Sequence, residues 1–325
     1  MSTLDSAVSA PDAQASPESV AGPGRIEPIA GEAFSSNGIH AIRHHFHTHP
    51  LMRLDALAEL AERLMPTSQC RFVRPGISTA SEFDHGDKPH DGRGVREVFA
   101  RIEEPGSWIA LYNVQTDPRY QSFVEEVATS FKPLVERDQP GVYEVGGFIF
   151  ISAPPSVTPF HIDRENNFWL QIRGRKTMNV WDHNDRVAVP QRAAEDFVVH
   201  GGLQGVNVSE GGRVRDDIMA RSHRFEVGPG DGVYFPMTSP HMTTTNAEWV
   251  KPGDGVSISI GVVFYTSMTR RMCHAHAFNR VARRLGIAPR TPRNGNEVET
   301  WRAWLGRAIV GLHRRTREWT PPRGF

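Results

Sequence analysis

Between residues 142 and 265 the sequence is a succession of short apolar segments separated by turn-forming residues. Glycine, proline, asparagine and aspartate recur between these segments, and no helical repeat interrupts them except around residues 191–220. Short apolar segments bounded by such residues are typical of β-strands, because a chain that reverses direction every few residues can pair its segments into sheets. This stretch therefore predicts a mainly β core and assigns most of the helices to its flanks.

Within the predicted core, a histidine and an aspartate stand two residues apart just before an apolar segment. His161 and Asp163 precede the apolar run at residues 168–172. In an extended chain, residues two apart point to the same side, so both side chains can bind one ion. Two imidazoles and one carboxylate form a ligand set typical of non-haem Fe(II), and this set leaves coordination positions open. His241, in the distant segment Phe-Pro-Met-Thr-Ser-Pro-His, is the candidate for the third ligand.

The His-x-Asp pattern alone is weakly specific, since it occurs three times in this chain. His85 and Asp87 lie in a polar stretch with glycine and proline, and the pair that begins at His183 lies in Asp-His-Asn-Asp, which predicts a turn. Only the pair at His161 has apolar strand patterns on both sides. The sequence context therefore selects this pair as the candidate metal site.

A lysine follows the candidate site after a predicted turn at Arg173-Gly174. Lys176 is one of only 4 lysines in a chain that has 33 arginines. A compact ammonium group on a flexible stem suits the end of a buried carboxylate, where a planar guanidinium needs more room. Lys176 is therefore a candidate for binding an acidic ligand.

One pattern combines the motif Gly-Asp-Gly-Val-Tyr-Phe-Pro before His241 with His161, Asp163, Asn167, Phe168, Gln171, Gly174 and Lys176. In this pattern the sequence resembles the JmjC-type 2-oxoglutarate oxygenases, a cupin-like family, and among them the hypoxia-pathway asparaginyl hydroxylases. The resemblance is dense over about 25 residues around His161 and over residues 228–265. It implies a double-stranded β-helix, the jelly-roll or cupin architecture, with flanking N-terminal and C-terminal α-helices, and the strand pattern agrees with that fold.

The resemblance also implies a reaction and roles for individual residues. It implies a dioxygenase that uses O2 and 2-oxoglutarate to hydroxylate a C–H of a protein or peptide side chain or a small metabolite, with release of succinate and CO2. The implied Fe(II) ligands are His161, Asp163 and His241, and the implied 2-oxoglutarate contacts are Lys176, Thr158, Tyr112 and Asn167.

Two positions bear on how the co-substrate is held. The related hydroxylase has an asparagine on its last core strand where this chain has Gly261, so one polar contact is missing or replaced. More distant oxygenases use a basic residue about ten positions after the distal histidine, and Lys251 stands there. Lys176 is preferred, because Lys251 is followed by Pro-Gly-Asp-Gly, a composition typical of a solvated loop.

The remaining sequence predicts additions on both sides of the core. Helical spacing marks residues 51–64 and 119–137 in the N-terminal flank, and residues 267–285 and 296–319 at the C-terminus. Glycine-rich residues 200–215 predict an inserted loop, which either covers the cavity mouth or is an unspecialised surface loop. The predicted organisation is a disordered tail at 1–37, an α/β flank at 38–141, the core at 142–265 and a basic helical region at 266–325.

Charge and composition limit the partners. Residues 266–325 carry 13 arginines against 3 acidic residues, whereas the whole chain balances 37 basic against 37 acidic residues. A basic helical region can bind nucleic acid, an acidic surface or a second subunit, and the resemblance favours a homodimer through the C-terminal helices. No apolar run reaches membrane-spanning length, and two distant cysteines, with no secretory signal, indicate a reducing cytoplasm. The alternatives are a metal-binding cupin of other chemistry and a noncatalytic regulator that binds nucleic acid.

Overall fold

A computed structural model describes residues 24–29, 31, 33–73, 93–203, 205–245, 255–290, 292, 300–317 and 322–325. Lys251 lies outside the described residues, as do the pair at His85 and residues 1–23 of the expected tail.

The described chain forms a strand-rich core with helices before and after it. The strands are β1 (Ile26–Pro28), β2 (His40–His44), β3 (Cys70–Val73), β4 (Trp108–Leu111), β5 (Tyr143–Ser152), β6 (Ser156–His161), β7 (Asn166–Arg173), β8 (Lys176–Val180), β9 (Ser209–Glu210), β10 (Arg213–Val214), β11 (His223–Val227), β12 (Asp231–Phe235), β13 (His241–Thr245) and β14 (Ser257–Tyr265). The α-helices are α1 (Leu54–Leu64), α2 (Val95–Ala100), α3 (Pro118–Val135), α4 (Gln191–His200), α5 (Asp216–Met219), α6 (Ser267–Arg284) and α7 (Thr300–Arg317).

Two antiparallel sheets share the core strands. The larger sheet has the order β1-β2-β12-β7-β14-β5-β4-β3, and the smaller has the order β11-β8-β13-β6. From β5 to β8 and from β11 to β14 the chain supplies four strands to each sheet, passing repeatedly between them. This is the arrangement of a double-stranded β-helix, so the predicted jelly-roll core with flanking helices is confirmed.

The two faces of the larger sheet have different surroundings. On β7, Phe168 belongs to the main apolar core and stacks on Phe131 of α3 at a centroid distance of 4.6 Å. Its neighbours Asn167 and Trp169 instead line a cavity on the other face. This difference follows from the two-residue period of a strand. The main core therefore lies between the larger sheet and helices α1 and α3, which leaves the space between the sheets for a site.

The four predicted helices correspond to α1, α3, α6 and α7 within the described residues. Helix α1 begins at Leu54, because residues 50–52 form a separate 3₁₀ turn. Asp117 caps α3, since its carboxylate accepts a hydrogen bond from the Arg119 main-chain N–H at 3.1 Å. A capping box at Thr266 starts α6.

Part of the segment predicted to be disordered is ordered. Residues 26–28 form β1, which pairs antiparallel with β2 so that Ile26 lies opposite His44, and Ile26 is buried. The prediction was wrong for these residues because a short edge strand gains its stability from main-chain hydrogen bonds to a neighbour distant in the chain. Composition does not reveal such bonds.

The C-terminal helices pack on the core and on each other. Helix α6 contacts α7 and also α4. Arg283 lies 2.7 Å from Glu195, and Arg280 lies 2.6 Å from Asp196. Part of the basic helical region therefore pairs with acidic residues of the body. No helix in the described part of the chain combines the length and the apolar character needed to cross a membrane.

Candidate metal centre and its cavity

Two neighbouring strands bring the predicted ligands together. His161 ends β6, His241 begins β13, and these residues lie directly opposite each other in the antiparallel pairing. Asp163 follows two residues after His161. One ligand atom from each of the three residues lies within 4.8 Å of the others. The rings of the two histidines have centroids 4.0 Å apart, and His241 Nε2 lies 3.5 Å from Asp163 Oδ2.

Main-chain carbonyls orient both imidazoles. His161 Nδ1 lies 2.7 Å from the Pro159 carbonyl oxygen, and His241 Nδ1 lies 3.1 Å from that of Ser239. Because a carbonyl only accepts hydrogen bonds, Nδ1 of each ring carries the proton and donates it. Nε2 of each ring is then the atom with a lone pair that can bind a metal ion. This hydrogen bond from the second nitrogen is typical of metal-binding histidines.

A turn before β13 is tied to the segment that carries Asp163. The Thr238 N–H donates to the Asp163 carbonyl oxygen at 2.8 Å, and the Met237 N–H donates to Asn166 Oδ1 at 3.0 Å. Thr238 has a φ of 60°, a left-handed conformation that costs free energy for a residue with a β-branched side chain. These hydrogen bonds hold the turn in that conformation and place His241 beside Asp163.

A cavity of about 1180 Å³ lies beside these three residues. All the residues that the resemblance implied for metal and co-substrate line this one cavity: His161, Asp163, His241, Lys176, Thr158, Tyr112 and Asn167. Their places in the sequence span 130 positions, from Tyr112 to His241. The fold therefore brings all seven of these candidate residues to one cavity.

Lys176 is a buried cation in this cavity. It is 2% exposed, and no carboxylate of the described residues lies within 4.0 Å of its ammonium nitrogen. Burial lowers the pKa of Lys176 to about 8, because an ammonium group loses its hydration in this position. An anion bound next to Lys176 stabilises the charged form, so the cavity is suited to an acidic ligand.

Neutral polar groups complete the wall. Burial raises the pKa of Tyr112 to about 12, so its hydroxyl remains protonated and can donate a hydrogen bond at neutral pH. Asn167 Oδ1 and Ser259 Oγ are buried and have no hydrogen-bond partner among the described residues. A buried polar atom without a partner costs about 1–3 kcal/mol, which a polar ligand can recover.

The structure explains why glycine is accommodated at position 261 of the last core strand, where the related hydroxylase has an asparagine. A Cβ at this position would lie 3.2 Å from Asn167 Oδ1 and 3.3 Å from Asn167 Nδ2. The space that a side chain at 261 would need is therefore occupied in part by the amide of Asn167. Ser259, two residues earlier on β14, lines the same cavity with a hydroxyl.

Arg164 anchors helix α4, whose C-terminal end lies at the cavity. Arg164 was not identified from the sequence. Its guanidinium donates to the Val198 and Phe197 carbonyl oxygens, both at 2.9 Å, and lies 4.9 Å from the centroid of the Phe197 ring. These carbonyls belong to the last turn of α4, where a cation interacts favourably with the helix dipole. Described residues of the predicted loop, among them Gly201 and Val208, line the cavity, which favours a loop at the cavity mouth over an unspecialised surface loop.

Arg71 was also not identified from the sequence. It lies on β3 at the edge of the larger sheet, is buried, and lines the cavity. No motif surrounds it, and its position depends on the pairing of β3 with β4 and of β4 with β5. A signal of this kind is visible only in three dimensions.

Comparisons with known proteins give matches among solved structures. No family model matches the sequence, and no curated protein matches it either. An Escherichia coli ribosomal oxygenase, YcfD, shares 14% identity with a TM-score of 0.41, and the match covers 90% of this chain and 69% of that one. Its complex with cobalt and 2-oxoglutarate shares 15% identity with a TM-score of 0.41 and the same coverage. Another structure of this protein has a TM-score of 0.38 at 15% identity, with 86% of this chain covered, and the match spans only 65% of its length. Because these identities and TM-scores are low, only the residues of this chain indicate the chemistry of the site.

Proposed function

We propose that the chain is an Fe(II)- and 2-oxoglutarate-dependent oxygenase that hydroxylates a C–H bond of its substrate. The observation that carries the proposal is a group of two histidines and one aspartate beside a buried lysine in the same cavity. Two imidazoles and one carboxylate leave half of an octahedral coordination sphere for a chelating co-substrate and oxygen. A buried ammonium group provides the counter-charge for the distal carboxylate of 2-oxoglutarate.

The donor set suits Fe(II), and the chain's own residues would orient and shield the reactants. His161, Asp163 and His241 would hold the ion through two Nε2 atoms and a carboxylate oxygen. The bound ion would supply oxygen activation, coupled to conversion of 2-oxoglutarate to succinate and CO2, and one oxygen atom would enter the substrate. Phe148 and Trp169 line the cavity and would limit the entry of water.

The co-substrate contacts follow from the polar groups around the cavity. Lys176 would pair with the distal carboxylate of 2-oxoglutarate, and Thr158 and Tyr112 would donate hydrogen bonds from their hydroxyl groups. Asn167 would direct its amide to the same region, where Gly261 leaves room for it. These contacts are polar and buried, so each would contribute to the placement of the co-substrate as well as to its affinity.

Metal binding and turnover test the proposal. The purified protein with Fe(II), ascorbate, oxygen and 2-oxoglutarate is expected to form succinate and CO2. His161→Ala is expected to abolish succinate formation and to weaken metal binding, while the circular dichroism spectrum remains that of the folded protein. The matched control is His223→Ala, because His223 is exposed on β11 and does not line the cavity. Absence of succinate formation in the metal-loaded wild type over a broad set of substrates would contradict the proposal.

Saturable 2-oxoglutarate binding separates this proposal from a metal-binding cupin of other chemistry. Lys176→Met is expected to keep the metal and to weaken 2-oxoglutarate binding by at least about 100-fold, because truncating one partner of a buried charge pair costs about 3–5 kcal/mol. Lys132→Met is the control, since Lys132 lies on α3 outside this cavity. Metal binding without any saturable 2-oxoglutarate binding would favour the cupin alternative.

The substrate class in this proposal is a protein or peptide side chain or a small metabolite.

We further propose a homodimer formed through the C-terminal helices, because α7 exposes 52% of Trp301, 69% of Trp304 and 61% of Leu312. Large exposed apolar side chains on one helix are typical of protein interfaces. A reducing compartment such as the cytoplasm would suit Fe(II) and the two buried, unpaired cysteines.

Light scattering on the full chain tests the dimer. The wild type is expected to show twice the mass of one chain, and Trp304→Glu is expected to shift it to the monomer mass. Arg315→Glu is the control for the added charge, because Arg315 is exposed on the same helix. A wild-type monomer at micromolar concentration would contradict this part of the proposal.

A further inference from the structure

Two buried side-chain amides, those of Gln139 and Asn166, form a chain of hydrogen bonds that ends beside the metal centre. Asn166 Nδ2 donates to Gln139 Oε1 at 3.0 Å, and Asn166 Oδ1 accepts a hydrogen bond from the Met237 N–H at 3.0 Å. Gln139 lies between α3 and β5, whereas Met237 lies in the turn that precedes His241. This amide chain therefore joins the region before the core to the turn that carries a candidate metal ligand.

The far end of the amide chain is bound by residues that do not line the cavity. Gln139 Nε2 donates to the Ser36 carbonyl oxygen at 3.0 Å and to Asn37 Oδ1 at 3.1 Å. Gln139 Oε1 also accepts a hydrogen bond from the Thr266 hydroxyl group at 3.0 Å. The Gln139 amide thus makes four hydrogen bonds, which is the number that its two N–H groups and two lone pairs allow. Gln139 is therefore fixed from outside the site.

Main-chain groups at the two ends fix the orientation of both amides. The Met237 N–H only donates, so the amide oxygen of Asn166 faces it and the Asn166 NH₂ group faces Gln139. Gln139 must then present its oxygen to Asn166 and its NH₂ group to the Ser36 carbonyl oxygen, which only accepts. A reversed amide at either position would bring like groups together and leave buried polar atoms without partners. The amide chain therefore has one favourable arrangement, and this arrangement sets the position of Met237.

The turn at residues 237–239 connects this position to two candidate metal ligands. The Thr238 N–H donates to the Asp163 carbonyl oxygen at 2.8 Å, and the Ser239 carbonyl oxygen lies 3.1 Å from Nδ1 of His241. Because Thr238 has a φ of 60°, the turn keeps its conformation only where surrounding contacts hold it. A shift of Met237 would therefore move the His241 imidazole relative to the Asp163 carboxylate.

We propose that Gln139 is a positioning residue for the metal centre and acts through Asn166 and the turn at residues 237–239. The inference rests on the metal centre of the proposed function and adds to it a residue that does not line the cavity. Hydrogen-bond partners of metal ligands typically change metal affinity about 10- to 100-fold when they are substituted. Gln139 is more remote than such a partner, so its effect is expected near the lower end of this range.

Co(II) binding to the metal-free full chain tests the assignment. Gln139→Met keeps a side chain of similar length and removes the amide. The Kd for Co(II), titrated through its visible absorbance, is expected to rise about tenfold. The absorption bands of bound Co(II) are expected to shift, because they report the geometry of the ligands. Peptides that contain residues 237–239 are expected to exchange amide hydrogen faster in the metal-free variant than in the metal-free wild type.

Tyr120→Phe is the matched control for the loss of a buried hydrogen bond. Tyr120 is fully buried, and its hydroxyl group donates to the Leu51 carbonyl oxygen at 2.8 Å, away from the cavity. This variant is expected to lose stability in urea unfolding and to keep the wild-type Kd and absorption spectrum for Co(II).

A milder substitution provides the test if Gln139→Met does not fold. Asn37 is half-buried and accepts one of the two hydrogen bonds from Gln139 Nε2. Asn37→Ala is expected to raise the Kd for Co(II) about 2- to 3-fold, because the Ser36 carbonyl oxygen still holds the amide. An unchanged Kd in Asn37→Ala would count against the positioning role.

The outcomes separate the positioning role from the proposed function. Equal Kd values and identical Co(II) spectra in the wild type and Gln139→Met would overturn the role of Gln139. An equal loss of Co(II) affinity in Tyr120→Phe would also overturn it, because the effect would then follow from stability alone. A wild type that does not bind Co(II) would instead contradict the proposed function, and hydrogen exchange in residues 237–239 would still show whether Gln139 holds the turn.

Discussion

Gly261 on β14 lies against the side chain of Asn167 on β7, so that a Cβ at position 261 would approach Asn167 Oδ1 to 3.2 Å. The two residues face the same cavity, and Asn167 Oδ1 has no hydrogen-bond partner among the described residues. The absence of a side chain at 261 therefore allows the amide of Asn167 to occupy its present position beside the candidate co-substrate site.

Gly261→Ala is expected to displace the Asn167 amide by a few tenths of an ångström and to raise the KM for 2-oxoglutarate about 3- to 10-fold, since a misaligned hydrogen bond loses about 1 kcal/mol. Steady-state kinetics of succinate formation measures this change. The control is Gly311→Ala on α7, where an added Cβ meets no atom within 4 Å. An unchanged KM in Gly261→Ala would show that the Asn167 amide does not contact the co-substrate.

The affinity for 2-oxoglutarate is expected to fall as the pH rises above about 8, because burial lowers the pKa of Lys176 to about 8 and the carboxylate binds the ammonium form. Below this pH Lys176 stays charged, so its titration does not change the affinity for 2-oxoglutarate. Above it, the Kd is expected to rise about tenfold per pH unit until the pKa of the complex is reached. Calorimetry from about pH 7 to 9.5 measures the profile. In Lys176→Arg the rise should be absent, since a guanidinium group stays charged; a flat wild-type profile would exclude Lys176 as the titrating anchor.

Arg164→Ala is expected to destabilise helix α4 and the chain that follows it at the cavity. The substitution removes two hydrogen bonds to the last turn of α4 and the contact with the Phe197 ring. We expect a loss of about 1–3 kcal/mol in the free energy of unfolding and faster hydrogen exchange in residues 197–209. Arg192→Ala on the same helix is the control, because the Arg192 side chain is 85% exposed, and its effect should stay below about 0.5 kcal/mol. Equal exchange rates in the two variants would refute the anchoring role.

Buried histidines are expected to make the protein sensitive to acid. Burial lowers the pKa of His183 to about 4 and that of His276 to about 3, from 6.5 in the unfolded chain. Between the folded-state and unfolded-state pKa values, the unfolded chain therefore binds more protons than the folded protein. The free energy of unfolding consequently decreases as the pH falls below 6.5. Each histidine should remove on the order of 2 kcal/mol between pH 6.5 and about 4.5.

Urea unfolding at several pH values measures this loss. His276→Asn removes one titrating group and is expected to reduce the slope of stability against pH by about one proton. His223→Asn, at an exposed position on β11, is the control and should keep the wild-type slope. The same slope in wild type and His276→Asn would show that His276 does not contribute.

The candidate site was predictable to different degrees for different residues. His161 and Asp163 were identified because the two-residue period of a strand is a local property. His241 and Lys176 were candidates from their sequence context, but only the fold shows that they lie near this pair, since neither spacing nor composition shows which strands become neighbours. Arg71 could not be identified, because it reaches the cavity only through the pairing of β3 with β4 and of β4 with β5.

The fold shows the same division between local and distant information. The caps of α3 and α6 and the apolar periodicity of the core strands are encoded in residues close together in the chain. The strand β1 was not predicted, because its partner His44 is 18 positions away from Ile26 and the bonds between them are made by the main chain.

The sequence by itself determined which residues are capable of the chemistry, because ligand type, strand period and turn composition are properties of neighbouring residues. It determined the mainly β core and the pair His161 and Asp163 in this way. Only the tertiary structure decided which distant side chains share one cavity, since that depends on the register between strands. The register places His241 opposite His161, and the sheet order brings Arg71 and Lys176 to the same enclosed space.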